Sequence, residues 1–399
     1  MISFFIGVII FTQERAIKEA DISLRDYRVP ISSARSSFVS GMIHLQDREE
    51  EDFLFTGVGT FGLDFNKFYS SLPFAYDITF HSRIDGEYPD SFLVKDTTIR
   101  SDSFYTRIFH LHQFSTQLNK YIFRGKDLFG FLKFDYLNKT VFVRPETKIT
   151  AGIGYGRFIN ATPLARALRI EEELKREGIL TANLPYGILL KFAEHLAPEV
   201  RKKYQEEYYY WEREYYRNLE EILKASGVLK NQELGSGGTL VINDVLNEFV
   251  AERYYGHEFT AGVGYELSNP GEADTIHHMF VELGEKFATP IDVRAQFIQS
   301  FTIQFPFTGG ELGDEFSSGL SLRFSYEVSN KIDFVGSYYL NLDIFTEKFQ
   351  VSHSHESNIS FIYTIINRLD LVNTMSIRRP SGVERFNWEW RTELKYRIL

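Results

Sequence analysis

The chain has 399 residues, a net charge of −10 and no cysteine, and it carries 37 phenylalanines and 23 tyrosines at a mean hydropathy of only −0.22. The negative balance excludes a binder that neutralises nucleic-acid phosphates, and the missing cysteine excludes disulfide frameworks and thiolate zinc sites. So many aromatic residues at low hydropathy suit a set of strands with one apolar and one polar face.

In chain order, the N-terminal "MISFFIGVIIFTQ" holds the longest apolar run, residues 2–11. At about 1.5 Å per residue it is too short to cross a bilayer as a helix, and it reads as the apolar stretch of a secretory signal. Residues 1–32 are therefore expected to form a signal-like N-terminal segment. Strand patterns follow at 33–45, 52–65, 74–84, 102–112, 128–138 and 141–158, broken by "DREEED" and by the polar stretch 85–101. The piece 113–127 suits either a strand or a connector.

At "TAGIGYGRFINATPLARALRIEEELKREG", residues 150–178, the hydrophobic period changes from two to that of a helix. Thr162 suits the N-cap, Pro163 the first helical position, and Gly178 a left-handed stop. Helices are predicted over 162–177, 185–197, 198–225 and 239–254, with "GSGG" at 235–238 as a flexible joint. The third helix contains "YQEEYYYWEREYY", whose aromatics cover more than one stripe and point to contacts with several surfaces, an envelope partner among them. After this segment the chain repeats itself: TAGIGY at 150–155 returns as TAGVGY at 260–265. The pair reads as one hairpin whose turn has been replaced by a helical insertion. Gly152, Gly154, Gly262 and Gly264 then share the inner face, where the insert is expected to pack on them.

The C-terminal third alternates most clearly. In "ERFNWEWRTELKYRIL", Phe386, Trp388, Trp390, Thr392, Leu394, Tyr396 and Ile398 share one face, and Asn387, Glu389, Arg391, Glu393, Lys395 and Arg397 share the other. "EFSSGLSLRFSYE" repeats this, with Leu320, Leu322 and Phe324 opposite Ser321 and Arg323. Such long two-faced strands predict an all-β transmembrane antiparallel β-barrel of about 14 strands, roughly 12 to 16, with an α-helical insertion. Connectors alternate between long and short, and about eight strands follow the helices. Counting back from a periplasmic C-terminus puts the insert on the periplasmic side. The expected division is barrel over 33–158, periplasmic insert over 159–256, and barrel again over 257–399.

On these alternating strands and this loop rhythm, over 33–158 and 257–399, the chain resembles bacterial outer-membrane β-barrel proteins of the porin-like kind. Such barrels commonly end in an aromatic residue, where this chain has Ile398-Leu399. The resemblance implies a bacterial outer-membrane location, with outer-membrane lipids and the barrel assembly machinery as partners. Lumen-lining candidates are Arg323, Glu389, Arg391, Glu393, Lys395 and Arg397. No cofactor, metal or catalytic set is expected, because Gly152-x-Gly154-x-Gly156 lies within a strand and lacks phosphate-loop spacing. The pairs His110/His112 and His353/His355 lack a third ligand. "HESN" at 355–358 is similar to the His-x-Ser-Asn element of outer-membrane phospholipases, with Ile359 where glycine usually follows. The reading is a passive pore or transport channel modulated by the insert. The alternatives are an envelope anchor that docks partners, and an outer-membrane lipid hydrolase.

Overall fold

A computed structural model describes residues 23–27, 29, 31–48, 54–88, 107–123, 126–248, 251–270, 278–308, 311–312, 315–345, 350–379 and 386–398. The apolar run at 2–11 and the polar stretch around 89–101 lie outside the described residues. Six antiparallel strands precede the helices: β1 (Ile31–Arg48), β2 (Leu54–Ser71), β3 (Phe74–Tyr88), β4 (Arg107–Tyr121), β5 (Leu128–Lys139) and β6 (Glu146–Asn160). Eight follow: β7 (Tyr254–Ser268), β8 (Met279–Pro290), β9 (Ala295–Thr308), β10 (Glu315–Ser329), β11 (Ile332–Phe345), β12 (Gln350–Ile366), β13 (Leu369–Arg379) and β14 (Asn387–Arg397). Each pairs with its neighbours, and β14 pairs with β1 through Phe38↔Arg397, so 14 strands close into a barrel without a free edge. The two-residue Glu311–Leu312 adds only to β9.

Alternation sorts the side chains as lipid and water require. Trp388, Trp390, Leu394 and Tyr396 on β14, Ile153 and Tyr155 on β6, and Phe259, Val263 and Tyr265 on β7 stand exposed on the outside. With no water at membrane depth, only closure satisfies every backbone group of such strands. The architecture is that of an outer-membrane barrel. Leu72-Pro73 joins β2 to β3, Asn330-Lys331 joins β10 to β11, and Asn367-Arg368 joins β12 to β13. These short turns sit at the end where the helices and both described chain ends lie.

Several boundaries differ from the sequence expectation. β4 continues to Tyr121 and so absorbs most of 113–127, while β6 begins at Glu146, after a turn. The "HESN" stretch, His355–Asn358, lies within β12.

The insert holds α1 (Thr162–Arg176), α2 (Tyr186–His195), α3 (Pro198–Glu207), α4 (Trp211–Lys224) and α5 (Gly235–Asn247). Thr162 is the first helical residue rather than the cap. The N-cap is Ala161, and Asn160 just before it accepts from the Thr162 backbone N–H through Oδ1 at 2.9 Å. Gly178 ends α1 at φ +69°, as its lack of a side chain permits. The helix expected over 198–225 is two, broken at Tyr208–Tyr210, and "GSGG" is the first turn of α5 rather than a joint. Ile170, Leu174, Leu189, Phe192, Leu219, Leu223 and Ile242 form its core. Leu24, Tyr27 and Val29, just before β1, belong to the same core.

Candidate functional site

The inner wall explains the glycines. Gly152 and Gly262 are register partners, and a Cβ on Gly152 would collide with the Ala261 carbonyl oxygen and the Gly262 Cα. The wall can bend inward here because neither strand carries a side chain. The expected packing of the helices on this patch is not found. Phe129 covers Gly154, Phe131 approaches Gly262, and Phe280 covers Gly264, so rings from β5 and β8 fill the space. An aromatic ring on a neighbouring strand reaches a bare glycine directly, whereas a helix cannot approach it past those rings.

Further along, Gly156 and Gly256 take φ +119° and +128°, and the hairpin leans across the opening. Strands far apart around the ring touch there. The Asn160 backbone N–H donates to Ser32 Oγ of β1 at 2.7 Å, and Arg157 Nε donates to Ser70 Oγ of β2 at 3.1 Å. Gln117 of β4 reaches Glu258 of β7 at 2.7 Å, and Lys133 of β5 pairs with Glu282 of β8 at 2.9 Å. The segment before β1 also crosses this mouth. Tyr255 donates to the Tyr27 carbonyl at 2.5 Å, and Arg25 donates to Thr289 on β8, diametrically opposite β1 in a ring of 14.

The helices are tied to the rim by charge. Glu327, inward at the end of β10, accepts from Arg169 of α1 at 2.6 Å and lies 3.5 Å from the Arg253 guanidinium. Arg169 also meets Glu248 at 3.2 Å. Arg253 is fully buried, and its guanidinium donates to the carbonyls of Ala251, Val293 and Arg294. Removing one partner of such a buried set strands a charge, which typically costs 3–5 kcal/mol. Burial raises the carboxyls of Glu248 and Glu252 in this rim, and that of Glu171 in α1, above their ordinary range.

The six sequence candidates all lie on the inner face. Five form a ladder along β14: Arg391 joins Glu389 and Glu393, each at 3.3 Å, Lys395 joins Glu393 at 3.6 Å, and Arg397 pairs with Asp370 of β13 at 2.7 Å. Arg323 stands apart on β10, with no ion pair among the described residues. Sequence reading missed Glu327, Arg169 and Arg253, whose partners come from distant elements. The inward parity of Glu327 was readable, but its pairing with a helix and a segment far along the chain was not.

Away from the helices the lumen holds open space. A cavity of about 290 Å³ lies among Thr302, Gln304, Ser317, Asn341 and Asp343, and one of about 250 Å³ among Gln113, Lys133, Asp135, Lys148 and again Gln304.

The histidines lie elsewhere. His355 faces outward on β12, its Nδ1 hydrogen-bonded to the Tyr338 hydroxyl at 2.8 Å rather than to Ser357. His353 shares its face, and the rings of His110 and His112 stack on β4 with their centroids 5.2 Å apart. Among the described residues no three His, Asp or Glu side chains gather as a metal site.

No protein-family model matches the sequence, and no curated protein does. Solved structures similar in fold include the outer membrane channel DcaP of Acinetobacter baumannii, at 10% identity and TM-score 0.34 over 92% of this chain and 97% of that one. OccK11 of Pseudomonas aeruginosa matches at 9% identity and TM-score 0.32, over 93% and 99%. A BenF-like porin from Pseudomonas fluorescens Pf-5 matches at 8% identity and TM-score 0.33, again over 93% and 99%.

Proposed function

We propose that this chain is a bacterial outer-membrane channel for small polar solutes, with its periplasmic mouth capped by its own helical insert. The observation that carries the reading is the pairing of a polar lumen, holding two cavities, with a mouth crossed by the β6–β7 hairpin and latched through Glu327. Polar space inside an apolar exterior suits passage of solutes, and the latch is a two-partner contact that can open. In planar bilayers the full chain is expected to conduct weakly. Glu327→Gln, which deprives Arg169 and Arg253 of their shared carboxylate, should raise open time several-fold. Equal silence of both proteins, each folded by circular dichroism, would end the channel reading.

An envelope anchor is the second reading. It is favoured by the tip between α3 and α4, where Tyr209 is 91% exposed and Tyr210 71%. Amphipathic rings displayed so fully suit a partner surface.

A further inference from the structure

Charge is distributed unevenly around the lumen. From β2 to β8 the inner face is rich in ions, and these are engaged with one another: Asp64 with His81 at 2.5 Å, Asp85 with Arg83 at 2.8 Å, Glu146 with Lys148 at 2.6 Å, and Lys133 with Glu282. On β9 to β11 the inner face around the larger cavity carries mainly hydroxyls and carboxamides, with Asp343 among them, while Arg323, Glu327 and Asp333 lie nearer the helical mouth. Ser300, Thr302 and Gln304 face inward on β9, Ser321 on β10, and Ser337 and Asn341 on β11. On β12 and β13 a neutral rung, Ser360 with Thr374 at 2.8 Å, lies between the Arg378–Glu356 and Arg397–Asp370 ion pairs.

Hydroxyls and carboxamides each both donate and accept hydrogen bonds, and so does a solute hydroxyl. A hydroxyl-rich, uncharged solute can therefore exchange water for this wall bond for bond. A dianion would be set against the Asp343 carboxylate at the cavity, and elsewhere would have to compete with ion pairs that are already made. Two features in and beside the larger cavity are of use to such a solute. The Asp343 carboxylate accepts hydrogen bonds only and has no ion-pair partner among the described residues. Tyr339, two positions before Asn341 and on the same inner face, is 40% exposed. An aromatic face beside hydrogen-bonding groups fits a ring with an apolar C–H side and hydroxyls at its edge.

We infer that the β9–β11 wall is a binding site for an uncharged, hydroxyl-rich solute of monosaccharide to disaccharide size, held by Gln304, Asn341 and Asp343 and stacked on Tyr339. This deepens the channel reading by naming its substrate class, and binding itself does not depend on an open mouth. The test is saturation-transfer NMR on the full chain in lipid nanodiscs, with maltose, succinate and lysine as probes. Maltose should receive the largest saturation of the three, while succinate stays near background. Asn341→Leu and Tyr339→Ala should each cut the maltose signal several-fold, with unchanged thermal melting as the control for folding. A larger signal for either charged probe, or a maltose signal untouched by both variants, would overturn the proposal. Maltose binding without conductance in the Glu327→Gln protein removes the channel reading and leaves the site. Conductance without maltose binding removes the site alone.

Discussion

Leu322 and Ser321 are adjacent on β10 and live in different solvents, one facing lipid and the other the lumen. Arginine in place of Leu322, near the middle of the strand, is expected to cost about 2–4 kcal/mol in urea-driven folding into vesicles. Ser321→Arg should be nearly neutral; tolerance of the first with collapse of the second would invert the faces. The glycines allow a similar contrast. A methyl on Gly152 has to displace backbone, whereas at Gly41 it meets nothing within 4 Å. Gly152→Ala should lower stability by roughly 1–3 kcal/mol, the usual range for forced overpacking. Gly41→Ala should melt with the parent. Leucine at Gly154 and Gly264 is expected to disturb the barrel wall through Phe129 and Phe280, rather than to lift the helices off it.

At the scale of elements, the strands were legible in sequence because lipid and water act on alternate residues, so Trp388, Trp390 and Leu394 announce a face without help from any partner. The split between α3 and α4 was not legible. The Tyr-rich run has no proline or glycine to mark a break, and α3 buries none of its side chains. Nor was the inward bow of β6 and β7, because Gly152 matters only opposite Gly262, which is a property of the pairing. The insert also carries a pH dependence. Glu171, Glu248 and Glu252 hold their protons more tightly folded than unfolded, since burial raises all three. Their contribution to stability is full below the ordinary carboxyl range and is lost as pH rises through the raised values. Amide exchange in α1 and α5, corrected for intrinsic rates, should therefore be slower at pH 5 than at pH 7. Faster exchange at pH 5 would mean that the carboxylate ends of the Arg169 ion pairs dominate.

For the whole molecule, strand parity counted from sequence agrees with the eight strands that follow the insert, because loop lengths alternate with direction. The side on which the helices lie is testable, since the native chain has no thiol. In intact cells an impermeant maleimide should label Val141→Cys, in the turn between β5 and β6, and spare Lys202→Cys on α3. The opposite pattern would turn the barrel over. The segment from Leu24 to Val29 bears on how such a molecule assembles. Its apolar side chains share one core with α1 and α4, although all of β1 to β6 lies between them in the chain. Contacts this remote form only after the intervening chain has been brought round. Until β8 stands opposite β1, Arg25 has no far rim to reach and the helices lack part of their interior. Placement of β1 to β8 thus precedes the docking of this segment, and that docking completes the core of the helical insert.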